Sequence, residues 1–136
     1  MLYDDVIINK VQSIQRCITR INEEYALVNN NFENQWTHQD AAILNITRAC
    51  EQSIDLANYL VKKYQLGIPT SSRNSFELLA QKHIISAQLS QKLQNMVGFR
   101  NIAIHEYQTL NLAIIVAIIE TGLQDLVEFT QIALQK

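Results

Sequence analysis

Within the run GFRNIAIHEYQTLN (98–111), the chain places Arg100, Asn101, His105 and Tyr107 inside eight positions. Histidine, with an unperturbed pKa of about 6.5, takes or gives a proton near neutrality. Arginine stays charged, and its planar fork matches phosphate oxygens. Together these groups meet the needs of metal-free RNA cleavage. A base deprotonates a ribose 2′-hydroxyl, and that oxygen attacks the adjacent phosphorus. A cation stabilises the charge that builds on the phosphoryl oxygens, and an acid protonates the leaving 5′-oxygen.

Spacing alone leaves plainer readings open. Asn101 and His105 are four apart and share a helix face. Arg100 and His105 stand about 140° apart on an unbroken helix, with a rise of about 7.5 Å between them. Their side chains can converge if the helix ends near His105, and two copies could bring two sets to one cleft. An Arg near a His on a helix surface is also common. Asn101 could serve a neighbouring loop, and Tyr107 could be a half-buried anchor with a wet hydroxyl. Glu106 adjoins His105, but adjacent helical residues diverge and no His-Glu-x-x-His occurs, so no metal site is expected. His38 and His83 read as surface residues, and Trp36 as an anchor for its loop. Ser71-Ser72-Arg73 could touch phosphate but reads first as a solvated linker. No Gly-rich phosphate loop and no Ser/His/Asp or Cys/His set is visible.

The elements that must hold this stretch read as helices. Ile7, Val11, Ile14, Ile18, Ile21, Tyr25 and Val28 recur in a 4-3 pattern, the seam of a helix of about seven turns. Asn29 to Asp40 is polar and reads as a loop, with Thr37 or Asp40 as caps. A second helix is expected from about Gln39 to Gln65, with Ile43, Ile46, Cys50, Ile54, Ala57, Leu60 and Tyr64 as its stripe. Gly67 can close it, and Pro69 prevents continuation. A short helix capped by Ser75 follows, then one capped by Ser86 that carries Leu89, Leu93, Met96 and the motif. Asn111 caps a last helix to about Gln135. The expectation is an all-α, up-and-down bundle of four long helices and one short one, in a single domain over 1–136. The last helix is apolar on more than one face from Ile114 to Ile119, which fits either a deep core or a homodimer interface.

Composition bounds the rest. The chain has 136 residues, 48% of them hydrophobic, with three Gly and one Pro, too few turn residues for a many-stranded fold. A net charge of −2 argues against a general nucleic-acid coat, though a local basic patch can still hold a phosphate. Cys17 and Cys50 fall in apolar helical stripes and read as buried thiols in a reducing compartment. The acidic start, MLYDDVIINK, does not read as a signal peptide. The stretch from Leu110 to Ile119 is about half a membrane span, so no membrane association is expected.

The pattern Arg100, four residues, His105, one residue, Tyr107, with Asn101 directly after the Arg, resembles the signature of HEPN-domain ribonuclease toxins, the HepT-like group. AAILNITRACEQSIDLANYLV, SFELLAQKHIIS and LQNMVGFRNIAIHEY resemble that group in order and length, so the likeness covers nearly the whole chain. It implies a HEPN-like homodimer with both motifs in an interface cleft. It also implies a metal-independent endoribonuclease acting on tRNA or mRNA through Arg100 and His105, without a cofactor, with Asn101 orienting the site. The implied partner is a minimal nucleotidyltransferase (MNT-type) antitoxin, able to transfer AMP onto Tyr107, in a prokaryotic cytoplasm. Asn111 stands where such proteins often carry Asp, and both residues cap well. Arg48 and Lys92 are further cations that the sequence does not place. The alternative class is a non-catalytic helical partner that binds a nucleotidyltransferase or nucleotides.

Overall fold

The computed structural model describes residues 4–27, 36–105 and 111–136, and every regular element among them is helical. In chain order these are α1 (Asp5–Leu27), α2 (Trp36–Lys63), α3 (Ser72–Gln81), α4 (Ala87–His105), α5 (Leu112–Ala117), a π-helical turn (Ile118–Gly122) and α6 (Leu123–Leu134). The last three form one run over 112–134, so the expected four long helices and one short one are present. α1 lies along α2. α2 also packs on α3 and α4, and α6 lies against α1, α2 and α4.

The heptad-like seams become the core. Ile7, Val11, Ile14 and Ile21 of α1 are buried, as are Ile43, Ile46, Cys50, Ile54, Ala57 and Leu60 of α2. Ile18 and Tyr25 are half-buried at the edge, and Tyr64 is exposed. Val28 lies outside the described residues. At the centre Phe76 and Phe129 meet edge to face, with ring centroids 5.6 Å apart and planes at 71°. Both rings are fully buried, and truncating either to Ala costs about 3–5 kcal/mol.

Helix ends depart from expectation where side chains outcompete composition. α2 begins at Trp36, so 36–40 is helix rather than loop. One tie holding that first turn is His38, which pairs with Glu24 of α1 and is half-buried, not a free surface residue. Trp36, expected as a packing anchor, is 76% exposed. At its other end α2 closes on Gln65 rather than Gly67. Gln65 takes φ +53°, with Leu66 N donating to Val61 O at 2.9 Å and Gln65 N to Lys62 O at 3.2 Å. His83 does the same after α3, at φ +60°, and is exposed as expected. The cap of α3 is Ser71, not Ser75: Ser71 Oγ accepts from Asn74 N at 3.0 Å. Ser75 is buried, and its hydroxyl donates to Asn58 Oδ1 on α2. Ser86 and Asn111 cap as expected, accepting from Leu89 N at 3.0 Å and Ala113 N at 2.8 Å.

The π-helical turn was not legible in the apolar pattern. Thr121 Oγ1 donates back to Ala117 O at 2.8 Å, and Glu120 Oε2 accepts from the Tyr25 hydroxyl at 2.9 Å. The first bond is a side-chain competitor for the backbone ladder. The second ties the turn to α1.

Candidate functional site

The motif rides on α4, so the seating of α4 decides where it points. Leu89, Leu93, Met96 and Val97 bury one face of the helix. Ser90 Oγ donates to Phe76 O at 3.0 Å, which locks α4 to α3. The helix then runs unbroken to His105, so the angular separation of Arg100 and His105 is kept.

Arg100 is half-buried and turns toward α2 and α3. One Nη reaches Ser72 Oγ at a long 3.5 Å, and the buried Nε has no hydrogen-bond partner among the described residues. Burial pushes the Cys50 thiol up to about 12, with the Arg100 guanidinium pulling weakly against it. A thiol held so far from ionisation is a core group, as expected. His105 and Asn101 are exposed. Among the described residues no hydrogen bond joins Arg100 to His105. Within one chain the motif therefore splits, its cation between helices and its imidazole in solvent. Tyr107 lies outside the described residues.

Two residues of the expected linker are neighbours of the motif. Ser72 meets Arg100, and Arg73 lies on Gly98: a Cβ built at Gly98 would fall 2.7 Å from an Nη of Arg73. Gly98 and His105 are seven apart, within about 20° of the same helix face, with Asn101 between them. Arg73 thus occupies the Asn101/His105 face, while Arg100 occupies the flank. The signal available in the sequence was Gly98 itself. A glycine inside a helix costs roughly 0.5–1 kcal/mol against Ala and marks a close approach. A depression of about 530 Å³ lies along the linker from Gly67 to Ser72 and touches the motif's surroundings only through Ser72.

Two further cations have other places. Lys92 stands 3.8 Å from Asp125 of α6. Arg48 faces α1, in a groove with Arg16 and Arg20. Ile102 and Ile104 near the end of α4 are about half exposed, an apolar surface beside His105, and Ile114 early in α5 is also about half exposed. No group of three or more His, Cys, Asp or Glu that could hold a metal occurs among the described residues. Among the same residues no helix is long and apolar enough to cross a membrane.

The sequence pattern of the family described as ribonuclease HepT-like matches residues 14–133. The mRNA nuclease HepT of Shewanella oneidensis is 48% identical over 129 residues, covering 95% of this chain and 96% of that protein. A crystal structure of a toxin–antitoxin with AMP-PNP superposes with a TM-score of 0.93 at 46% identity, covering 98% of this chain and all of the other. The tri-AMPylated Shewanella oneidensis HEPN toxin, in complex with its MNT antitoxin, gives 0.92 at 47% identity, covering 98% and 99%. The Bacillus subtilis protein YutE, 14% identical with a TM-score of 0.67, shares the fold alone. By family pattern, by identity along nearly its full length and by superposition, this chain belongs to the HepT-like ribonucleases and is an RNA-cleaving enzyme.

Proposed function

We propose that this chain is the toxin of a HEPN/MNT pair, a metal-independent endoribonuclease that cuts RNA through Arg100 and His105. The observation that carries the mechanism is the half-buried Arg100 guanidinium. Its Nε is buried, and its single hydrogen bond among the described residues, from an Nη to Ser72, is long, so its Nη donors are open to a phosphate. His105 takes the 2′-hydroxyl proton as O2′ bonds to phosphorus. The P–O5′ bond breaks, and the leaving oxygen is protonated by the His105 of a second copy or by water. The product ends are a 2′,3′-cyclic phosphate and a 5′-hydroxyl. Arg100 binds the charge on the non-bridging oxygens, and Asn101 orients the site.

A homodimer of an up-and-down bundle supplies what one chain lacks. Arg100 and His105 diverge in a single copy, and the exposed Ile102 and Ile104, within three residues of His105 on α4, offer an apolar surface suited to a self-complementary contact. Two copies would bring two Arg100 and two Arg73 side chains to one cleft, a local positive field in a chain of net charge −2. The substrate class is tRNA or mRNA; the 48%-identical relative carries the name mRNA nuclease. The partner is an MNT-type antitoxin that transfers AMP to Tyr107, by likeness to the AMPylated toxin complex. An attached AMP adds bulk and negative charge where RNA phosphate must bind.

The test is cleavage of total RNA and tRNA in EDTA, comparing wild type with His105→Ala after intact mass has verified the absence of AMP. Cleavage by wild type alone, leaving cyclic-phosphate ends, is the expected result. No cleavage by unmodified protein would return the chain to the class of helical binding partners.

A further inference from the structure

The five arginines of this chain fall into two groups. Arg73 and Arg100 lie at the motif. Arg16, Arg20 and Arg48 line one groove of about 440 Å³ between α1 and α2, with Ser13, Asn45 and Gln52 as polar lining. Their convergence has an independent marker in the half-buried Cys17. Burial pushes its thiol up, and Arg48, Arg16 and Arg20 all act on it in the opposite direction. Among the described residues none of the three arginines has a carboxylate within ion-pair distance, whereas Lys63 and Lys92 each have one. Arg16 is held in place by a hydrogen bond from Nη2 to Ser13 Oγ at 3.1 Å. Glu23, one turn beyond Arg20, lines only the adjoining depression.

Like charges four apart on a helix repel, and a third cation facing them from α2 adds to the cost. A polyanion removes that cost. We propose that the Arg16/Arg20/Arg48 groove is a second RNA-binding site that grips the phosphate backbone of the substrate away from the cleavage motif. Planar forks suit phosphate oxygens. Serine and amide groups suit ribose hydroxyls. No aromatic side chain lines the groove, so base stacking is absent and the grip is independent of sequence. α2 lies between this groove and Arg100: Arg48 and Cys50 are two apart, about 200° around the helix, and Cys50 lies in the field of Arg100. A strand crossing α2, about 10–12 Å wide with its side chains, reaches both. The proposal rests on the ribonuclease reading only for the identity of the polyanion.

The test uses the full chain and its triple variant Arg16→Gln/Arg20→Gln/Arg48→Gln. Binding of a labelled 20-nucleotide 2′-O-methyl RNA, which lacks the attacking hydroxyl, is followed by anisotropy from 50 to 300 mM salt. Each lost single-strand phosphate contact lowers the salt slope by about 0.7, so a fall of about 2 is expected, with affinity at 100 mM down at least about tenfold. For a cleavable 20-mer, KM should rise with kcat held, while cleavage of a dinucleotide, too short to span α2, should not change. Unchanged slope and affinity in a variant with wild-type circular dichroism would overturn the proposal. So would loss of antitoxin binding with RNA binding intact, which would give the groove to the protein partner. If neither protein cleaves RNA but the slope still falls, the groove stands and the Arg100/His105 mechanism falls. If wild type cleaves and the slope is unchanged, the groove alone falls.

Discussion

An Nη of Arg73 lies 2.7 Å from where a Gly98 Cβ would stand, so the α3 arginine is seated on bare α4 backbone. The seat puts a second cation on the helix face that carries Asn101 and His105. Gly98→Ala should displace the flexible end of Arg73 while leaving the fold intact, since Ala is favoured over Gly in a helix by about 1 kcal/mol. The melting temperature is expected to hold or rise by a few degrees, with KM for RNA raised several-fold. Arg73→Ala should match it, and the double variant should be no worse than either single. Additive losses would show that Gly98 and Arg73 act separately.

At the motif itself, His105→Ala should lower kcat by about 10²–10⁴-fold with the fold retained, because the imidazole is exposed. Arg100→Ala should fall comparably. Arg100→Lys should recover only part, since an ammonium cannot present the fork. Single-turnover cleavage of a defined RNA measures all three, and an Arg100→Lys rate equal to wild type would remove the fork from the mechanism.

Tyr107→Phe should keep RNA cleavage and resist AMP transfer by the nucleotidyltransferase with ATP. Intact mass reads this directly. AMP on the Phe variant at wild-type stoichiometry would move the modification elsewhere.

The apolar surface beside the imidazole predicts an oligomeric effect. Ile104→Asp, a charge on a half-exposed position, should leave the helical spectrum unchanged and convert a dimer to a monomer by light scattering. Cleavage should fall with it if the motif works only in pairs. A dimer of unaltered strength would place the interface on another face.

Asp4 ties the start of α1 to α2 and couples stability to acid. Its Oδ1 accepts from Val6 N and Ile7 N, and its Oδ2 accepts from Lys63 Nζ and the Tyr59 hydroxyl, both at 2.8 Å. Lys63 above all holds the carboxyl at about 2, below the usual 3.8. A depressed folded-state pKa means stability that is full above about pH 4 and is lost as pH falls toward 2. Asp4→Asn keeps the cap and removes the ion pair. Denaturant titrations should show the variant less stable at pH 6, with the gap to wild type closing by pH 2. A gap that stayed constant with pH would assign the difference to packing.

Much of the fold was legible because helical periodicity is local. The 4-3 seam of α1, the stripe of α2, the Ser86 and Asn111 caps and the placing of the motif on α4 all follow from residues within one or two turns of each other. The resemblance carried by Arg100, Asn101, His105 and Tyr107 likewise pointed to the family. What only the tertiary structure decided depends on neighbours distant in sequence. Arg100 turns inward because α3 brings Ser72 to it. Arg73 leaves the linker for the motif because Gly98 leaves room. α2 starts early, where His38 meets Glu24. Ser71 caps α3 because Ser75 is bonded to Asn58 on α2. The three arginines of the α1/α2 groove are 4 and 28 residues apart in the chain, and no local pattern announces them. Charge is read one residue at a time along a sequence, but a binding field is a sum over space, and only the packing of α1 on α2 supplies the distances.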